Sequence, residues 1–178
     1  SSDVCSSDLW IAADLLAQAE HDTAAQSVLI TDDAAFADRV SAAVDAALKQ
    51  LPRGEIARKS WDDHGLIVVV DKLDTCAPLI DRIAPEHLEL AVAEPRTLLK
   101  AVRHAGAIFV GRHTPEAVGD YIAGPSHVLP TSGSARFSSG LGVFDFLKRT
   151  SLIDCTVEGL RAIGEDALRM AEIGRAHV

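Results

Sequence analysis

The strongest constraint on the fold of this chain is an alternation of short apolar runs with helical stretches, which repeats through residues 27–121. Residues 27–31 (SVLIT), 66–70 (LIVVV) and 107–110 (AIFV) read as strands, the second β-branched enough for a buried central position. Residues 87–92 alternate, with Leu88, Leu90 and Val92 on one side and His87, Glu89 and Ala91 on the other, so a strand is expected whose start lies at a site. Between these strands, Phe36, Val40, Ala43, Val44 and Leu48 form the apolar stripe of a helix capped by Asp32 and stopped by Pro52. Further helices are predicted over residues 10–21, where Gln18 and His21 share a face, and over 55–61, 72–83 and 97–104. Thr114-Pro115-Glu116 has the cap, first-turn proline and acidic start of another, which carries Asp120. Such alternation needs right-handed crossovers, so the expected class is α/β: a mainly parallel sheet flanked by helices, an incomplete Rossmann-like domain of a larger enzyme.

Composition narrows the functional classes. With 17 Lys+Arg against 26 Asp+Glu the formal charge is -9, which repels nucleic-acid phosphates. No apolar run approaches the ~20 residues of a membrane span. The 3 cysteines, Cys5, Cys76 and Cys155, are widely spaced, which suits a reducing compartment and places the protein in the cytoplasm. Cys76 and Cys155 sit among apolar neighbours and are expected to be buried and structural. Residues 1–9 (SSDVCSSDL) and 173–178 (IGRAHV) lack apolar periodicity and are expected to be a non-native leader and tail around a catalytic portion at 10–172. After residue 142, an extended piece at 151–157 and a closing helix at 159–172 are predicted.

Three stretches could carry chemistry. Gln18 and His21 place an amide oxygen and an imidazole three residues apart on one helix, a spacing that can serve a metal, although polar residues on a helix face are more often only solvated. Glu86-His87 sets a carboxylate beside an imidazole at a loop-to-strand junction, an arrangement suited to general base catalysis and equally to an ordinary surface pair. Asp120 and His127 flank a Gly/Pro turn inside an aperiodic segment, residues 124–142, of a length that is often functional. Gly140 and Gly142 make only part of a dinucleotide fingerprint, so no cofactor-binding residues emerge from the sequence.

Taken together, DLLAQAEH at 14–21, APEHLEL at 84–90, GDYIAGPSHVLPT at 119–131 and SSGLGVFDFLKR at 138–149 closely resemble the histidinol dehydrogenase family, in that order and at similar separations. The resemblance implies a homodimeric enzyme of histidine biosynthesis that oxidises L-histidinol to L-histidine in two NAD-dependent steps through an enzyme-held aldehyde, with one zinc per subunit. It implies zinc ligation by Gln18, His21 and Asp120, proton abstraction by His87, water activation by Glu86 and a substrate contact by His127. The family is more than twice this length, so the chain is expected to be a fragment without most of the NAD-binding part. Glu172 and His177 have the spacing of a family pair near the C-terminus, but both fall two residues early counted from Gly159, and the match is read as accidental. Two other classes remain open: a non-catalytic α/β module that binds a ligand or partner, and a zinc hydrolase using Glu86. The dehydrogenase reading requires Gln18, His21, His87 and Asp120 to converge on one pocket, with Glu86 at its rim.

Overall fold

The computed structural model describes residues 7–175 and divides into two units, residues 1–142 and 143–178. The first unit opens with helix α1 (Ser7–Ala19), strand β1 (Val28–Thr31), helix α2 (Ala34–Ala47), helix α3 (Gly54–His64) and strand β2 (Leu66–Val69). Helix α4 (Ala77–Ile83), strand β3 (His87–Leu90), helix α5 (Pro95–Leu99), strand β4 (Ala107–Val110) and helix α6 (Glu116–Tyr121) follow. The strands pair in parallel as β1 with β2 and β3 with β4, in two separate two-stranded sheets. The α/β class with parallel strands and crossover helices therefore holds.

Local differences from the sequence expectations have identifiable causes. Helix α1 ends at Ala19, so His21 lies in the turn beyond it, where its N–H donates to the Gln18 carbonyl at 3.2 Å. Asp33, not Asp32, caps α2, accepting the Phe36 N–H at 3.0 Å. The helix expected over 72–83 begins as a 3-10 turn at Leu73–Thr75 and becomes α-helical only at Ala77, with Pro78 in its first turn. Strand β2 is not buried: Leu66 and Val69 are 48% and 51% exposed, because only β1 lies beside it. Pro115 rather than Thr114 precedes the first residue of α6, and the Thr114 hydroxyl donates back to the Val110 carbonyl at 3.1 Å.

Two apolar clusters hold the first unit together. Ala12, Leu15, Leu16 and Ala19 of α1 pack against Val40 and Val44 of α2, Leu48 just beyond it, and Ala57 of α3. The buried Ser27 hydroxyl donates to the Leu15 carbonyl at 2.7 Å, which ties α1 to the entry of β1. Cys76, Ala77, Ile80, Leu90 and Leu98 form the second cluster, joined by Leu88, Ile108 and Ile30 of β1. Helix α4 ends with Ala84 in the left-handed region (φ 50°, ψ 62°) and fully buried, and this turn directs the chain through Pro85 and Glu86 into β3.

The second unit contains a 3-10 turn at Val143–Phe146 and helix α7 (Val157–Arg175). The Thr156 hydroxyl accepts the Gly159 N–H at 3.0 Å at its start. Residues 151–156 form neither helix nor strand, and Cys155 is exposed, contrary to the expectation of burial, whereas Cys76 is buried. Cys5 and His177 lie outside the described residues. Among the described residues no helix is long and apolar enough to cross a membrane.

Asp81 fixes the approach to β4. Its Oδ1 accepts the backbone N–H groups of Arg103 and His104 at 2.8 and 2.9 Å. Partial burial would raise its pKa, and these two bonds outweigh that, so the carboxyl sits below its ordinary 3.8. A depressed carboxylate pKa adds stability above the unfolded value and loses it as pH falls through the folded one. Asp81→Ala should therefore lower unfolding stability by roughly 1–2 kcal/mol at pH 7, and the difference from the parent should shrink in denaturant titrations below pH 3.8.

Candidate active site

Period-two alternation along β3 sends Leu88 and Leu90 into the second core and leaves His87 and Glu89 on the opposite face. The register His87↔Ala107 sets the first residue of β3 at the start of β4, and the chain leaves β4 through Gly111 into α6. Glu116 and Asp120 are four residues apart on α6, which gives both carboxylates one helix face. The three side chains meet: His87 Nε2 lies 3.5 Å from Asp120 Oδ1, and His87 Nδ1 lies 4.0 Å from Glu116 Oε1. All are well shielded, with side-chain exposures of 14% for His87, 27% for Glu116 and 19% for Asp120.

Both ring nitrogens of His87 are buried without a hydrogen-bond partner. An orphaned polar atom in such a place costs about 1–3 kcal/mol, which a proton, a cation or a ligand atom would recover. One donor atom from each of His87, Glu116 and Asp120 lies within 4.8 Å of the others, so the trio also has the chemistry of a divalent-cation site. Among the described residues this is the group of His, Cys, Asp and Glu side chains with that property, and His21 is outside it.

Behind the trio lies a second pair of acids. Asp14 of α1 and Glu89 of β3 are hydrogen-bonded through their side chains. Burial, and next the Asp14 charge, push the Glu89 carboxyl up to about 7, while the Glu116 backbone N–H bonded to it acts in the opposite direction. Burial likewise raises Asp14 and Glu116; the nearby His87 offsets part of the rise for Glu116.

Of the residues expected at the site, His87 and Asp120 come together. Glu86 is half-buried at the bend before β3, its carbonyl accepting the Ala107 N–H at 2.8 Å. Gln18 is half-buried on α1 one turn after Asp14, on the face that Asp14 presents to Glu89. His21 and His127 are exposed, the first in the turn after α1 and the second in the 124–142 segment. Glu172 is exposed on α7. The residues missing from the sequence expectation are Asp14, Glu89 and Glu116. Each lies two or four positions from an expected one in the period of its own element, and that spacing was the available signal.

Fold and site together define an α/β protein of the enzyme type, with a shielded imidazole between carboxylates at the edge of a parallel strand pair. The family model for histidinol dehydrogenase matches residues 2–177. The chain is 67% identical over 163 residues to the histidinol dehydrogenase of Rhodospirillum rubrum, covering 91% of this chain and 38% of that protein. It is 59% identical over 162 residues to that of Rhizobium meliloti, covering 91% of this chain and 37% of that protein. The crystal structure of histidinol dehydrogenase from Elizabethkingia anophelis superimposes with a TM-score of 0.84 at 34% identity, over 94% of this chain and 39% of that one. The chain belongs to the histidinol dehydrogenase family, whose name denotes an oxidoreductase, and it spans well under half the length of these relatives.

Close packing keeps α6 against β4. Phe109, 4% exposed, faces the His87 ring at 5.8 Å between centroids, and a Cβ at Gly119 would lie only 2.3 Å from its Cε1. Gly119→Ala must move either the ring or the helix. It should destabilise the protein by about 1–3 kcal/mol and shift the ring-proton resonances of His87, measurable by thermal melting and proton NMR.

Proposed function

We propose that this chain is the catalytic portion, at residues 10–172, of an enzyme that oxidises L-histidinol to L-histidine with NAD in histidine biosynthesis. The observation that carries the reading is the shielded, unpartnered imidazole of His87 facing Asp120 and Glu116, within a chain of this family. In the first step the alcohol O–H proton passes to His87 as the carbinol carbon gives hydride to NAD, leaving aldehyde and NADH. In the second, water adds to the aldehyde, with Glu86 taking the water proton, and a second hydride transfer to NAD gives the carboxylate. Asp120 and Glu116 stabilise the imidazolium form of His87 and hold the ring in place, since opposite charges at this range favour the protonated base.

The donor chemistry suits a divalent cation: carboxylate oxygens stand close to an imidazole whose nitrogens lack partners. In this reading zinc would be held by Gln18, His21 and Asp120, with a further ligand from outside these three, and His127 would contact substrate. When bound, zinc supplies a fixed positive point that orients substrate nitrogen and oxygen atoms. The NAD site and pairing with a second copy belong to the complete protein.

The test uses the full-length protein carrying this chain. NADH formation with L-histidinol should be abolished by a chelator and restored by zinc. His87→Ala should lower kcat by about 100-fold or more with little change in bound zinc. Undiminished turnover after that substitution would remove His87 as the base. Bound zinc, measured by elemental analysis, should fall to a small fraction in His21→Ala and persist in Glu116→Gln; the reverse result would assign the metal to the His87, Glu116 and Asp120 trio.

A further inference from the structure

We propose that Glu89, paired with Asp14, is the positioning residue of this site: it clamps together the three elements that carry the functional side chains. The proposal rests on the reading above for which residues are functional, and on observed contacts for the clamp itself. Glu89 is two residues after His87 on β3, so the same pleat presents both to one face. Its carboxyl hydrogen-bonds the Asp14 side chain of α1, and it also takes a hydrogen bond from the backbone N–H of Glu116, the first residue of α6. One side chain thus reaches the helix that leads to Gln18 and His21 and the helix that holds Glu116 and Asp120, while its own strand holds His87.

The chemistry favours positioning over surface solvation. Glu89 and Asp14 are both half-buried, and two carboxyl groups hydrogen-bond only with a proton between them. Apolar side chains at the same places would pack without fixing the azimuth of α1 or the start of α6. A directional bond to each sets both. Displacement of a reacting group by about 1 Å can cost on the order of 100-fold in rate, so loss of the clamp should be read in turnover. Glutamine at position 89 reproduces both bonds, with its N–H donating to Asp14 and its carbonyl accepting from Glu116, whereas alanine reproduces neither.

In the full-length protein, Glu89→Ala should reduce kcat for histidinol oxidation by roughly 10–100-fold while KM for NAD changes by less than about twofold, and Glu89→Gln should recover most of the loss. The ring-nitrogen resonances of His87, followed in metal-free, histidine-labelled protein and assigned with His87→Ala, should move in Glu89→Ala and stay in place in Glu89→Gln. Asp14→Ala, which cuts the clamp from the α1 side, is the second probe and serves if Glu89→Ala does not fold. Parent-like kcat and unmoved His87 resonances in the alanine variants would overturn the proposal, as would a glutamine variant as impaired as alanine. If the parent protein fails to oxidise histidinol, the functional reading falls, and the resonances alone then decide the clamp.

Discussion

The parallel pairing of β3 with β4 is the constraint from which the site follows. With His87 opposite Ala107, the first residue of one strand and the exit of the other are fixed relative to each other, and α6 has only the short passage after Val110 in which to turn back. The backbone bonds from Gly106 to the Pro85 carbonyl and from Ala107 to the Glu86 carbonyl, at 2.9 and 2.8 Å, begin this ladder before the strands proper. The imidazole and the two α6 carboxylates are brought together by main-chain geometry, not by attraction between the side chains, which would otherwise prefer water.

That origin explains the electrostatics. Asp14, Glu89, Glu116 and Asp120 gather in a partly dehydrated region, and the fold tolerates them because His87 and backbone N–H groups face them. The upward displacement of Glu89, Asp14 and Glu116 is the signature of acids held where burial and mutual repulsion both oppose ionisation. A site with this strain favours any positive charge that enters it, whether a proton on an imidazole or a cation.

Much of this could be read from the residues. The strands at 28–31, 66–69 and 107–110 are runs of β-branched and apolar residues with few competing conformations, and their edges fell within a residue of expectation. Helix boundaries were less legible: α1 stops before His21 because the chain must turn toward Ser27, whose hydroxyl is committed to the Leu15 carbonyl, a contact across the fold. The burial of LIVVV failed for a related reason, since hydropathy records what a strand could bury and not which neighbours it has. His87 and Asp120 were legible through local motif chemistry, whereas Asp14 matters only through Glu89, a partner far away in sequence, and no local pattern announces such a pair.

The left-handed alanine at the end of α4 has a consequence for variation at that position. A β-carbon there carries a backbone penalty of roughly 1–2 kcal/mol that glycine would escape, yet the Ala84 methyl is wholly enclosed, and deleting it would leave a void costing a comparable amount. The two effects nearly cancel, so drift between alanine and glycine should be close to neutral. Any bulkier side chain meets both obstacles at once, which confines position 84 to the two smallest amino acids and keeps the entry to His87 unusually resistant to change.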